Sequence, residues 1–340
     1  VGQQTINSRI AEQYDVVVVG GGAAGLSAAV SLGRALRSVL VIDAGEPRNA
    51  PAAGVHNFLS RDGISPMELQ ELGRREAIHY GADVVRGEAV AARSTGEQRT
   101  TAEPGTVGPP AFEVDLADGR TVGARRLLVT TGVVDILPDV EGIRERWGKD
   151  VLHCPYCHGW EVRNKAIGIL GSVPMALHQT LLFRQWSPSI TLFLNDIVEP
   201  TEEQWEQLVA RSITVVEGKV RSLEVADDAL AGVVLESGKV VPVDALVAGP
   251  RVEARSAILE SLGISTVEHP MGVGRHVEVS QPGGATSVPG VWAAGNVTDL
   301  TGQVMASAAS GGMAGAAINA DLILEETTLA VEAARLAVRI

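Results

Sequence analysis

Residues 14–45 read YDVVVVGGGAAGLSAAVSLGRALRSVLVIDAG. Asp15–Val19 is a short run of β-branched residues, the signature of a buried strand. Gly20–Gly25 follows, and Leu26, Ala29, Val30 and Leu32 then recur at helical spacing. Val39–Ile42 reads as a second strand that ends in Asp43. The stretch is therefore a βαβ unit with G-x-G-x-x-G at its first turn. Taken alone that motif is weak. Here it has the required strand before it, helix after it and acidic residue about twenty positions on. Gly20 is expected to make the turn, Gly22 to let a pyrophosphate reach the backbone, and Gly25 to let helix pack on strand. Ala23 and Ala24 open the helix toward the phosphates, and Asp43 is placed to accept from a ribose hydroxyl.

A second unit of the same kind begins near Lys165. KAIGILGS is a strand, Met175–Trp186 a helix and SITLFLND another strand. The segments 112–132 and 231–250 repeat one pattern: strand, turn with glycine, strand, and an apolar strand ending near glycine. The chain thus holds two copies of one module, and the first carries a polar insertion at 94–110 that is expected to be an exposed, mobile loop. After the second copy, Val291–Ala294 reads as a strand, followed by a loop and a helix rich in small residues. The boundaries expected from this are 1–146 plus 272–340 for one domain and 147–271 for the other.

The totals narrow the function. The net charge is −13 and no Lys/Arg run forms a basic patch, which argues against nucleic acid. No stretch of about eighteen apolar residues appears, so no membrane span is expected. Residues 1–15 are polar and lack an apolar signal core, so the expected location is the cytoplasm.

Both cysteines lie in HCPYCHGWE, residues 153–161. A haem attachment reading of C-x-x-C-H needs export and an iron ligand set that nothing else supplies. A zinc reading needs four converging ligands, yet His153/Cys154 and Cys157/His158 are adjacent pairs whose side chains diverge, and no second pair of ligands follows. No metal is expected. A structural disulfide across two residues closes too small a loop to stabilise much. The remaining reading is a redox dithiol, which needs one accessible thiolate and one thiol beside an electron acceptor.

Three features together resemble the thioredoxin-reductase-like flavoproteins: GGGAAG near the start, C-x-x-C opening the second module, and GVWAAGN followed by Gln303 near the end. The resemblance covers nearly the whole chain. It implies an α/β fold with two Rossmann-like dinucleotide-binding domains of the thioredoxin reductase/pyridine nucleotide-disulfide oxidoreductase type, FAD in the first, and a homodimer. By position it places Asn57 near the flavin ring and Thr131 and Gly132 near the FAD. Gly295 and Asn296 fall at the pyrophosphate and ribityl chain, and Gln303 and Val304 at the pyrimidine edge. The family usually has Asp where Asn296 stands. Cys157 would face the flavin and Cys154 the substrate. His158, where thioredoxin reductases usually carry Asp, is the candidate base. His153 is a second candidate, with a solvated strand-end histidine as its alternative reading; Glu161 is placed to tune either imidazole, and Trp160 reads as packing.

The second Gly-rich turn departs from the pattern. It reads Gly171-Ser172-Val173-Pro174-Met175-Ala176. Val173 stands at the central glycine position, where a branched side chain pushes a pyrophosphate away, and Pro174 removes an amide donor. NADPH enzymes of the family carry arginines after the next strand; here stand Asp196, Glu199, Glu202 and Glu203. The expectation is a scaffold that has lost its nucleotide. CPYCHGWE resembles the branch of FAD-dependent dithiol oxidases in disulfide antibiotic pathways of the gliotoxin, holomycin and romidepsin type. That resemblance implies a small-molecule dithiol substrate, an intramolecular disulfide product, O2 as acceptor and hydrogen peroxide as by-product. The alternatives are an NAD(P)H-dependent disulfide reductase and a flavoprotein binding partner without turnover.

Overall fold

Val16 and Val18 face one side of a strand and Val17 and Val19 the other, and all four are buried. A strand apolar on both faces belongs inside a sheet covered on both sides, and the computed structural model, which describes residues 10–96 and 110–338, shows this arrangement. The expected mobile loop lies mostly outside the described residues, as do residues 1–9 and 339–340.

The chain forms two units. The first comprises residues 1–48, 67–134 and 253–340. Its seven-stranded sheet runs in the order Asp83–Arg86, Val39–Asp43, Gln13–Val19, Thr121–Val129, Phe112–Leu116, Ala89–Ser94, with Val291–Ala293 pairing in parallel with Thr121–Val129. Strand Gln13–Val19 is parallel to both its neighbours. The C-terminal segment thus completes the first module's sheet. Helix Ala23–Arg34 covers one face and is crossed by the long helix Val304–Val338. The crossing is backbone to backbone: a Cβ at Gly311 would lie 2.0 Å from the Ala24 carbonyl oxygen, and one at Gly315 would lie 3.0 Å from that of Ala28. This is what the small residues of the helix are for.

The second unit comprises 49–66 and 135–252. Its five-stranded sheet is parallel throughout, in the order Thr214–Val216, Ile190–Phe193, Ile167–Leu170, Ala245–Ala248, Val151–Leu152. The units therefore exchange chain at 134/135 and 252/253, where boundaries at 146/147 and 271/272 were expected, and residues 49–66 group with the second unit. Asp135–Arg146 reads as the tail of the first module, but Val140 and Ile143 pack into the second unit's core with Leu230 and Val233. The two repeats also differ. In the first, Thr121–Val129 is one continuous strand; in the second, the equivalent stretch splits into Val240–Pro242, in a separate three-stranded sheet, and Ala245–Ala248. Pro242 lacks the amide that a continuing ladder would need.

The C-terminal helix is tied down by charge as well as packing. Arg126 is only 1% exposed, and its guanidinium donates to Asp321 at 2.5 Å and to Glu325. Arg125 pairs with Asp15 and Glu326 at 2.8 Å each. Glu325 and Glu326 are thereby held on the same unit as Asp15, Arg125 and Arg126. Removing one partner of a buried ion network strands the others without compensation. Arg126→Ala is expected to cost about 3 kcal/mol of stability, read as an early urea midpoint with unchanged slope; an unchanged midpoint would show the network to be energetically silent.

Candidate functional site

The first site is the turn at Gly20–Gly25. Gly20 has φ 112°, and its amide donates to Ile42 O at 2.8 Å. A Cβ at Gly25 would meet Gly20 O at 1.9 Å, so helix and strand touch there. Gly22 is different: a Cβ would meet nothing within 4 Å. Its φ of −78° and ψ of −171° are extended values, and no side chain caps the helix that begins at Ala23. The leading amides of a twelve-residue helix thus open onto free space, which is the arrangement that receives a pyrophosphate.

Asp43 is buried; its Oδ1 accepts from Gly45 N at 2.9 Å, and its Oδ2 from Gln70 at 3.1 Å and Arg74 at 2.9 Å. A carboxylate has about four acceptor sites, so Oδ1 keeps capacity for a further donor. Gln70 and Arg74 escaped the sequence reading because nothing in their spacing distinguishes them from surface helix residues. Thr131 Oγ1 donates to Arg255 O at 2.6 Å, and Gly132 takes φ 70°. Gly295 takes φ 77°, and a Cβ there would press on Ala24 at 2.9 Å. Gln303 O accepts the Ser307 amide, and Val304 opens the long helix.

Asn296 has a local reason for not being Asp. Its Nδ2 donates to the carbonyls of Asp299 and Gly302, both at 2.8 Å. A carboxylate cannot donate, so Asp would set like partial charges against each other here. The amide oxygen remains to accept from a ligand hydroxyl.

The second site lies in the second unit, just after the edge strand Val151–Leu152. Cys154 precedes the one-turn helix Pro155–His158, closed by His158 N donating to Cys154 O at 3.2 Å. Both cysteines are half-buried. Two side chains brace the turn: Asn57, with φ 59°, donates from Nδ2 to Tyr156 O at 3.0 Å, and Gln179 donates to His153 O at 3.0 Å. Asn57 therefore holds the cysteine turn, a role separate from the flavin contact that the resemblance implies. Gln179 carried no sequence signal.

His153 is half-buried and stacks on Trp147, with centroids 5.5 Å apart and planes 12° apart, so it is not the solvated strand-end histidine of the alternative reading. Trp160 is 66% exposed with Arg163 over its ring, so it is not a packing residue. His158 is the unusual group: both ring nitrogens are buried and neither has a hydrogen-bond partner. Burial pushes its pKa below the ordinary histidine range, with Glu161 acting upward and His56 downward. Its folded-state pKa is depressed, so the unfolded chain binds this proton more readily, and the group's contribution to stability falls as pH drops through the ordinary histidine range. No group of three or more His, Cys, Asp or Glu among the described residues is arranged to hold a metal ion.

A family model described as pyridine nucleotide-disulphide oxidoreductase matches residues 14–315. The chain belongs to the pyridine nucleotide-disulphide oxidoreductase family. It is thioredoxin-reductase-like: the thioredoxin reductase sirT of Leptosphaeria maculans is 31% identical over 326 residues, covering 90% of this chain and 93% of that one. The thioredoxin reductase tcpT of Claviceps purpurea is 31% identical, covering 92% and 95%. Among solved structures, HlmI aligns with a TM-score of 0.88 at 42% identity, covering 98% of this chain and all of that one. An oxidoreductase from Agrobacterium tumefaciens aligns at 0.82 and 37%, covering 92% and 99%. Enzymes of this family are flavoproteins, and this member is an oxidoreductase of that class with the two-module α/β fold. No helix among the described residues is long and apolar enough to cross a membrane.

Proposed function

We propose that the protein is an FAD-dependent dithiol oxidase, closing an intramolecular disulfide in a small molecule with O2 as final acceptor. The observation that carries this reading is the state of the second Gly-rich turn. Ser172 Oγ donates to Gly249 O at 3.0 Å, and Val173 Cγ2 lies 2.7 Å from where a Gly249 Cβ would be. Val173 stands where the motif of the first module has Gly22, a position at which a Cβ would meet nothing within 4 Å. Beyond the next strand Asp196, Glu199, Glu202 and Glu203 oppose a 2′-phosphate. Without a nicotinamide donor, electrons must enter from the thiol side.

The resemblance supports FAD along Gly20–Gly25, Asp43, Thr131, Gly132, Gly295, Asn296, Gln303 and Val304, and a homodimer. Bound flavin supplies the two-electron acceptor that reoxidises the cysteine pair and hands the electrons to O2. The chain's own work is thiol chemistry. One substrate thiolate attacks Cys154 of the Cys154–Cys157 disulfide, forming a mixed disulfide and releasing Cys157 as a thiolate. The second substrate thiolate then attacks its partner sulfur, closing the substrate ring and releasing Cys154. His158, neutral and without a hydrogen-bond partner, is the base that takes a thiol proton. Overall, dithiol plus O2 gives disulfide plus hydrogen peroxide.

The test is anaerobic reduction of the bound flavin by NADPH, NADH and dithiothreitol side by side. Only the dithiol is expected to bleach it, and air should restore the colour with one peroxide per dithiol consumed. Rapid bleaching by NADPH, with no oxygen uptake on adding dithiol, would overturn the reading in favour of a disulfide reductase. The names of the fungal relatives favour that second reading.

A further inference from the structure

His158 has no hydrogen-bond partner although a carboxylate stands three residues away. The reason is visible in the loop 49–66. His56 lies with Nε2 3.5 Å from Glu161 Oε1 and Nδ1 3.3 Å from Asp62 Oδ2. Asp62 is itself fixed, since its Oδ1 accepts the Asn57 amide at 3.0 Å, and Asn57 is anchored to the cysteine turn through Tyr156 O. The two ring nitrogens of His56 therefore face two different carboxylates, Asp62 on one side and Glu161 on the other.

We propose that His56 is a positioning residue that holds the Glu161 carboxylate away from His158, leaving His158 neutral and unpaired to take the proton of an incoming thiol. The step is R–SH plus imidazole giving R–S⁻ plus imidazolium, with no change of oxidation state. The groups acting on the His158 charge agree with this division: burial and His56 disfavour its protonated form, and Glu161 favours it. A carboxylate left to pair with His158 would hold it protonated near neutral pH, where it could not act as a base. Asp62 keeps His56 in place from the other side. The inference rests on the reading of His158 as the base for a thiol, and the arrangement was invisible in the sequence, where His56 and Glu161 stand far apart.

The test follows the His158 ring resonance against pH in the flavin-loaded protein, with His158→Gln to identify the signal. In His56→Gln the midpoint should rise, because Glu161 is released toward His158. In Glu161→Gln it should fall. In the double variant the rise should vanish, since it needs the carboxylate. The acid limb of anaerobic flavin reduction by dithiothreitol should move in the same directions, and His56→Gln should be about tenfold slower near pH 6.5. If His56→Gln does not retain FAD and a cooperative melt, Asp62→Asn, which frees His56 from its other anchor, carries the same upward shift. An unmoved or lowered midpoint in His56→Gln, or a rise that survives in the double variant, overturns the proposal. If the midpoints move as stated but dithiothreitol reduces the flavin in no variant and not in the wild type, the oxidase reading fails and the role of His56 stands.

Discussion

Gly22→Val is expected to give a folded, colourless protein. The wild type should be yellow and release one FAD per chain on denaturation. The prediction is unusually clean because the substitution costs the apo fold nothing visible. The backbone at Gly22 is in an extended region open to valine, and no protein atom lies within 4 Å of the new Cβ. What the isopropyl group occupies is the approach to the uncapped helix amides, so ligand binding alone should suffer. The neighbouring glycines make poor probes: a Cβ at Gly25 collides with Gly20 O at 1.9 Å, and one at Gly20 with Thr130 O at 2.4 Å. The measurement is far-UV circular dichroism and a thermal melt beside the visible spectrum. A yellow variant with stoichiometric FAD would show that the pyrophosphate lies elsewhere.

The second large effect separates the cysteines. Cys157→Ser is expected to keep its FAD but to leave it oxidised when dithiothreitol is added without oxygen, with turnover reduced by at least about a thousandfold. Cys154→Ser should also lose turnover, but should show long-wavelength absorbance from a Cys157 thiolate beside the oxidised flavin. If that absorbance appears in Cys157→Ser instead, the two roles are exchanged. Both variants should fold, because the turn is braced through backbone carbonyls: Asn57 holds Tyr156 O and Gln179 holds His153 O, and neither bond uses a cysteine side chain.

The amino-acid sequence by itself determined the two-module α/β architecture. A strand apolar on both faces, a glycine turn and a helix of fixed period are local patterns, and Asp15–Ile42 and Lys165–Asp196 carry all of them. The same locality made Gly20, Gly25 and the departures at Val173 and Pro174 legible, because each acts on its own turn. Only the tertiary structure decided where the chain changes units, since Val140 and Ile143 choose a core by packing that no period records. It alone explained Asn296, whose amide answers two carbonyls three and six residues on. It alone brought His56 to Glu161, because contacts between residues about a hundred positions apart depend on how a loop lands on another segment. The histidine beside the cysteines has its pKa lowered first by burial, a quantity that the linear order of residues does not contain.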